Sequence, residues 1–239
     1  MLLQEDEKMK AFELKNYGIP LTEMHKTVPL EVFKRMRDAS IKISKKHMGF
    51  FKRFKMGRIM RKEKKRFLYA NLFEVKEKGL KDDRFIMMVV GKAALFSGLS
   101  KVVGKEKALE IDKEFTDATS LERISHMVPS AEDLLKCDDP FAALKEWILE
   151  YWKANKGANI FEYEIAEDSE NILQIKCLYC AFDKISQLVD EKESALSVCQ
   201  WDDLLFSTWN KELGIKYTRP TSLAKGDTCC DFRIEKVKD

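Results

Sequence analysis

Asn159-Ile-Phe-Glu-Tyr-Glu-Ile-Ala166 and Asn171-Ile-Leu-Gln-Ile-Lys-Cys-Leu178, joined by the polar turn Glu167-Asp-Ser-Glu170, decide the fold class. In both runs apolar and polar residues alternate with the period of two that sends successive side chains to opposite faces of a strand, so the pair reads as a hairpin. Before Gly157 the apolar residues follow a helical period instead. Downstream, Ala181 to Val189 and Leu196 to Leu213 read as helices, with Leu213-Gly214 as a stop, and Ile215 to Arg219 and Cys230 to Val237 complete a small sheet. The expected class is α+β, a helical N-terminal part (1–157) packed on a small antiparallel sheet with its own helices in a cysteine-containing C-terminal part (158–239). No repeat or low-complexity linker separates the two, so one compact unit is expected.

Working upstream, Val28-Pro29-Leu30 opens a helix-like segment with Phe33, Met36, Ile43, Phe50 and Phe54 at near-heptad spacing, and Gly49 and Gly57 are places for it to break. A second helix is expected from Ile59 to about Lys78, before Gly79. A third, from Asp82 to Leu99, is apolar nearly all round and is the candidate centre of the core. Glu106 to Asp117 is amphipathic. Thr119 with Glu122, and Ser130 with Asp133, resemble capping boxes, and Asp139-Pro140 is a cap followed by proline at the first helical position, with Asn155-Lys156-Gly157 as the end of that helix.

A chain of 239 residues can bury roughly 70% of its unfolded surface, so no disulfide staple is needed. The start, Met1 to Lys8, lacks a basic region followed by an apolar core, so no secretory signal is expected; the longest apolar run, Phe85 to Leu99, reads as too short to span a bilayer. These features predict a soluble, cytoplasmic protein, where six cysteines serve as thiols, metal ligands or buried apolar residues. The net charge of +3 hides an asymmetry: Glu31 to Arg66 holds 15 basic and 3 acidic residues, a local +12, while the remainder holds 28 and 37 and carries −9. That basic stretch, interleaved with phenylalanine, suits an anionic surface, but a solvated basic face over a packed apolar stripe is the preferred explanation, and no specific nucleic acid is expected. Pairing of this stretch with the acidic remainder of a second copy keeps a homodimer open.

Phosphate-binding glycine loops, the dinucleotide turn and the nucleophile elbow are all missing, which counts strongly against those enzyme classes. His25, His47 and His126 precede the cysteine-rich end and none stands four residues from another, so each reads as a solvated or core-satisfied ring. Five of the six cysteines fall in the last 63 residues. Cys177-Leu-Tyr-Cys180 has redox or zinc spacing but no second such pair follows, and Cys137 is assigned to packing. Cys177, Cys199 and Cys230 read either as buried small hydrophobes or as a reactive set whose thiols a nearby arginine would acidify. Cys199 and Asp202 share one helix face, with Asp203 beside them; a carboxylate there serves as general base or binds a cationic amidine, or is simply solvated. Arg219, held extended by Pro220, offers a planar fork to a substrate carboxylate, or pairs with Asp227 or Asp231. Gly226-Asp227 reads as a tight turn into the last strand.

Taken in order, Cys177-x-Tyr179, Cys199-x-x-Asp202 and Arg219-x-x-Ser222-x-x-x-Gly226-x-x-x-Cys230-Asp231-Phe232-Arg233 resemble the pattern of the L-2-amino-thiazoline-4-carboxylic acid hydrolase family. The resemblance covers roughly the C-terminal third of the chain. Two positions depart: Ser222 stands where the family usually has Thr, keeping a hydroxyl, and Cys229 where a His or another polar residue is expected. The resemblance implies a small-molecule substrate, a cyclic isothiourea carboxylate opened at its carbon–sulfur bond to N-carbamoyl-L-cysteine. It implies Arg219 and Ser222 as substrate-binding residues and Cys177, Cys199, Asp202, Cys230 and Asp231 as the catalytic set, with Asp231 alternatively structural. Asp202 would engage the amidine or activate water, while Cys230 or Cys199 would attack the central carbon or hold a divalent metal; no other cofactor is implied. A fainter resemblance, to small-molecule-binding sensor domains of the vinyl-reductase type, implies a binding module, although Ser222 occupies the place of one cysteine of their zinc site.

Overall fold

β1 (Phe161–Asp168) and β2 (Ile172–Cys180) form the hairpin that the alternation predicts. The computed structural model describes residues 8–70 and 72–237; the expected lack of a secretory signal rests on Met1 to Lys8, all but the last of which lie outside the described residues. Ahead of the hairpin run α1 (Leu21–Met24), α2 (Leu30–His47), α3 (Phe50–Leu68), α4 (Phe73–Glu77), α5 (Asp83–Val103), α6 (Lys105–Met127), α7 (Ala131–Leu135) and α8 (Pro140–Gly157). After it come α9 (Ala181–Leu188), α10 (Leu196–Asn210), β3 (Ile215–Thr218) and β4 (Cys230–Lys236). The four strands make one antiparallel sheet in the order β1-β2-β4-β3, and the fold is α+β.

Only one face of this sheet is dry. Leu173, Ile175 and Cys177 of β2 and Cys230, Phe232 and Ile234 of β4 are buried, alternating with half-buried polar neighbours. Against that face lies α8, whose Trp147 and Trp152 are buried. Asp139 starts α8 by accepting hydrogen bonds from the backbone N–H groups of Phe141 and Ala142, both at 3.0 Å, with Pro140 at the first helical position. Two buried indoles still find acceptors: Trp147 donates to the Lys15 carbonyl at 2.9 Å and Trp209 to that of Pro129 at 3.1 Å. The same core takes in Met24, Val28 and Val32 from the N-terminal part, so residues from both ends of the chain share it.

α5 is the central helix, with Phe85, Val89, Val90, Ala93, Phe96 and Leu99 buried among them against α3, α6 and α9. Asp82 caps it by accepting from the Phe85 N–H at 2.7 Å. By length and composition α5, longer than the run Phe85 to Leu99, is apolar enough to cross a membrane, but half of that stretch is buried within the protein, as in a core helix that meets the same criterion. α3 approaches α5 closely at Gly98, where an added Cβ would lie 3.3 Å from the Met56 carbonyl and 3.4 Å from Met60 Cβ. Gly98→Val adds two methyl groups to that contact and is expected to cost about 1–3 kcal/mol. A urea midpoint equal to that of the wild type would show that the helices part without strain.

Three local expectations are corrected. Thr119 and Glu122 do not start a helix: α6 runs through them, and the Thr119 hydroxyl donates back to the Phe115 carbonyl at 2.7 Å. The helix expected from Ile59 to Lys78 is instead the end of α3, which stops at Leu68, and the short α4; residue 71 of that span lies outside the described residues. The apolar stripe of the basic segment is not packed throughout. Extended backbone at Met48 and Gly49 separates α2 from α3 and resets the helical phase, so Ile43 is buried while Phe50 and Phe54, continuing the sequence spacing, are exposed. His47 is satisfied, its Nε2 lying 2.6 Å from Glu114.

Candidate active site

The sheet's dry face, α8 and α10 enclose a cavity of about 100 Å³. Sheet register does the first part of the assembly. Cys177 and Cys230, 53 positions apart, are direct partners across β2 and β4, and both point inward. Cys180 ends β2 and also lines the cavity. One turn of α10 brings Cys199 and Asp202 to the same wall, because residues three apart on a helix share a face.

The loop between β3 and β4 supplies the rest. Arg219 lines the cavity with a side chain only 6% exposed. Ser222 is buried behind the cysteines, its hydroxyl 3.4 Å from Cys199 Sγ and 3.9 Å from Cys230 Sγ. The loop is held by Asp227, whose carboxylate accepts the Ser222 N–H at 2.7 Å, and by Gly226, whose φ of +99° is in the left-handed region that favours glycine. The Leu223 N–H donates to Cys230 Sγ at 3.2 Å. Thus a hydroxyl and a backbone amide fix the two thiols in place.

Arg219 is committed to its own loop and helix. It donates to Asp202 at 2.8 Å, to Asp203 at 2.8 Å and to the Cys199 carbonyl at 2.8 Å. The alternative partners weighed from sequence, Asp227 and Asp231, are not the ones it uses. Three of the five guanidinium N–H groups are thereby occupied, which leaves two for a ligand.

Electrostatics follow from the dry wall. Trp147, Tyr151, Trp152, Phe206 and Phe232 close the space, and an apolar enclosure penalises charge. Burial pushes the Asp202 carboxyl up to about 7, against the pull of Arg219 and with a further push from Asp203. The Asp202 side chain keeps 37% of its accessible area, but as a lining residue it spends part of that area on the cavity. Arg219 moves the other way: burial opposes its charge, and Asp202 more than restores it. Burial raises the Cys199 thiol to about 11, with Asp202 adding to the shift, and raises Cys177, Cys180 and Cys230 as well. The thiols are therefore held protonated near neutral pH, the reverse of the acidified cysteines anticipated from the nearby arginine.

Of the residues singled out from sequence, Cys177, Cys199, Asp202, Arg219 and Cys230 meet at this cavity, and Ser222 braces it. Asp231 does not join them. β4 alternates, so with Cys230 and Phe232 facing in, Asp231 takes the other face, where it accepts from Gln174 at 2.8 Å. Cys229 is also outside the cavity lining, 3.9 Å from the Thr221 hydroxyl. The aromatic walls were not singled out. Trp147 and Tyr151, one turn apart on α8, carry only the signal of a core stripe, and nothing local distinguishes a cavity wall from packing. Among the described residues no group of three or more His, Cys, Asp or Glu side chains is gathered so as to hold a metal ion.

Comparison with known proteins identifies a family. The model of the L-2-amino-thiazoline-4-carboxylic acid hydrolase family matches residues 82–234, a span that includes α5, all but the end of the sheet, and Cys177, Cys199, Asp202, Arg219, Ser222 and Cys230. No curated protein and no solved structure matches the chain.

Proposed function

Because the chain belongs to the L-2-amino-thiazoline-4-carboxylic acid hydrolase family, we propose that this cavity hydrolyses L-2-amino-thiazoline-4-carboxylate or a closely related cyclic isothiourea. The carrying observation is the meeting of Asp202 and Arg219 with Cys199, Ser222 and Cys230 around a space of about 100 Å³. At 10–15 Å³ of such volume for a water molecule, this is room for roughly seven to ten small atoms, and the thiazoline carboxylate has about nine heavy atoms.

In the proposed reaction the two uncommitted N–H groups of Arg219 take the substrate carboxylate, and the Asp202 carboxylate faces the amidine end. A carboxyl titrating near 7 is suited to both halves of a proton relay at neutral pH. Asp202 takes a proton from water as the oxygen adds to the amidine carbon. The carbon–sulfur bond then breaks with its electron pair on sulfur, and that sulfur takes the proton back from Asp202. The second water proton ends on the former imine nitrogen and the oxygen remains as the urea carbonyl, so substrate plus one water equals N-carbamoyl-L-cysteine. Burial holds Cys199 and Cys230 as thiols, which favours them as hydrogen-bond donors to the departing sulfur over direct attack on carbon.

Mass-spectrometric detection of N-carbamoyl-L-cysteine, using anaerobically purified protein with and without added divalent metal, tests the reading. Wild type is expected to form product and Cys230→Ala to form it at least tenfold more slowly, roughly the loss of one well-placed donor. Equal rates in the two proteins would remove Cys230 from the scheme. No product under any condition would overturn the hydrolase reading and leave the cavity as a binding site.

A further inference from the structure

A second and larger cavity, of about 430 Å³, lies on the other side of α10 between α2, α5 and α6. Leu21, Phe182, Val198 and Trp201 are walls common to both cavities. Its surface is mainly apolar, with Phe33, Met36, Phe85 and Phe115 among the lining side chains. Into this apolar space α6 carries Arg123, with Thr116 and Ser120 on the turns before it, both buried.

Arg123 has no acidic partner. Its Nε is buried without a hydrogen bond, Nη2 reaches only the Met88 sulfur at 3.8 Å, and the guanidinium lies 4.9 Å from the centre of the Trp201 ring. Burial alone accounts for the downward displacement of its pKa, with no neighbouring carboxylate to offset it. Of the other cations in the cavity wall, Lys92 is already neutralised by buried Asp112 at 2.6 Å and Arg84 is exposed to solvent, and no aspartate or glutamate is among the lining residues. A half-buried arginine with a dry, unsatisfied Nε, one aromatic ring and no anion against it lowers stability, and the ring contact offsets only part of that cost. A bound anion would supply the missing charge.

We infer that the second cavity binds a monoanionic amphiphile, a carboxylate on an apolar body, with Arg123 as the anchor for the carboxylate and the aromatic walls around the body. Within the cavity wall, the guanidinium with a buried, unsatisfied N–H is that of Arg123, which matches one negative charge, and its planar fork matches the two oxygens of a carboxylate. A volume of this size falls in the ordinary range of small-molecule pockets and is about four times that of the candidate active site. The Ser120 hydroxyl, one helical turn from Arg123, is placed to donate to the same group. This inference does not rest on the hydrolase reading, since it concerns residues that reaction does not use.

Isothermal titration calorimetry of the full chain with octanoate and with octan-1-ol tests it. Wild type is expected to bind octanoate at least tenfold more tightly than the alcohol. Arg123→Met should erase that preference while leaving octan-1-ol affinity within a factor of two, and should melt higher than wild type, because it removes a half-buried charge that has no acidic partner. Arg123→Lys keeps the charge but not the fork, and is expected to keep only part of the preference; it carries the test if the methionine variant fails to fold. The proposal is overturned by no octanoate binding at millimolar concentration, by equal affinity for acid and alcohol in wild type, or by a preference that survives both substitutions. It is also overturned if Arg219→Met, at the other cavity, abolishes octanoate binding while Arg123→Met does not.

Discussion

Asp202→Asn is expected to lower kcat for thiazoline hydrolysis by roughly 10²–10⁴-fold, the usual contribution of a positioned acid–base group. Asparagine keeps the shape and still faces Arg219, but it can neither take a proton from water nor return one to sulfur. The pH dependence separates this from a structural defect. With the carboxyl pushed up to about 7, wild-type kcat/KM rises with pH through that region as Asp202 ionises, and the variant's residual rate should lack that limb. Stability provides an independent check of the same shift. A carboxyl whose pKa is raised on folding holds its proton more tightly in the folded state. Its contribution is therefore fully present below about 4 and is lost as pH climbs through about 7. Thermal unfolding across pH 4 to 8 should show wild type losing stability relative to Asp202→Asn as the pH rises. Parallel curves for the two proteins would mean that the carboxyl titrates near its ordinary value, and the relay would lose its basis.

Arg219→Met is expected to lower kcat/KM by about 30–150-fold and to destabilise the fold by about 2–3 kcal/mol. The guanidinium holds Asp202, Asp203 and the Cys199 carbonyl together at 2.8 Å each, so its removal leaves two neighbouring carboxylates without their cation. Breaking a buried pair typically costs about 3–5 kcal/mol, and the lower figure used here allows for Asp203, whose side chain is 55% exposed. With the opposing charge gone, Asp202 should titrate still higher, and the rate limb should move to higher pH with it. Arg219→Lys keeps the charge and loses the three-way fork, so it should recover part of the stability and less of the activity. If Arg219→Met shifts neither the pH profile nor the denaturant midpoint, Asp202 is not set by this arginine and the electrostatic account of the site fails.

Much of this arrangement was legible in the chain itself. The alternation on either side of Glu167 to Glu170 announced β1 and β2, since a period of two has no other regular solution, and Asp139-Pro140 announced α8 because cap and proline chemistry act locally. Cys199 with Asp202 was legible for the same reason, one helical turn being a local distance. Thr119 misled because a hydroxyl can bond its own helix as readily as it caps one. The near-heptad phenylalanines misled because two residues of extended backbone were enough to rotate Phe50 and Phe54 out of register with Ile43.

The sequence by itself determined the fold class, the hairpin, most of the helix caps and the clustering of cysteines with Asp202 and Arg219 toward the C-terminal end, all of which are read along the chain. Only the tertiary structure decided which of those residues share a cavity. Register across β2 and β4 set Cys177 against Cys230 and turned Asp231 away, and the β3–β4 loop committed Arg219 to Asp202 and Asp203. The protonation of the thiols and the poise of Asp202 were likewise decided there. They depend on the low dielectric made by rings from distant helices and strands, and no spacing along the chain encodes how dry a side chain will be.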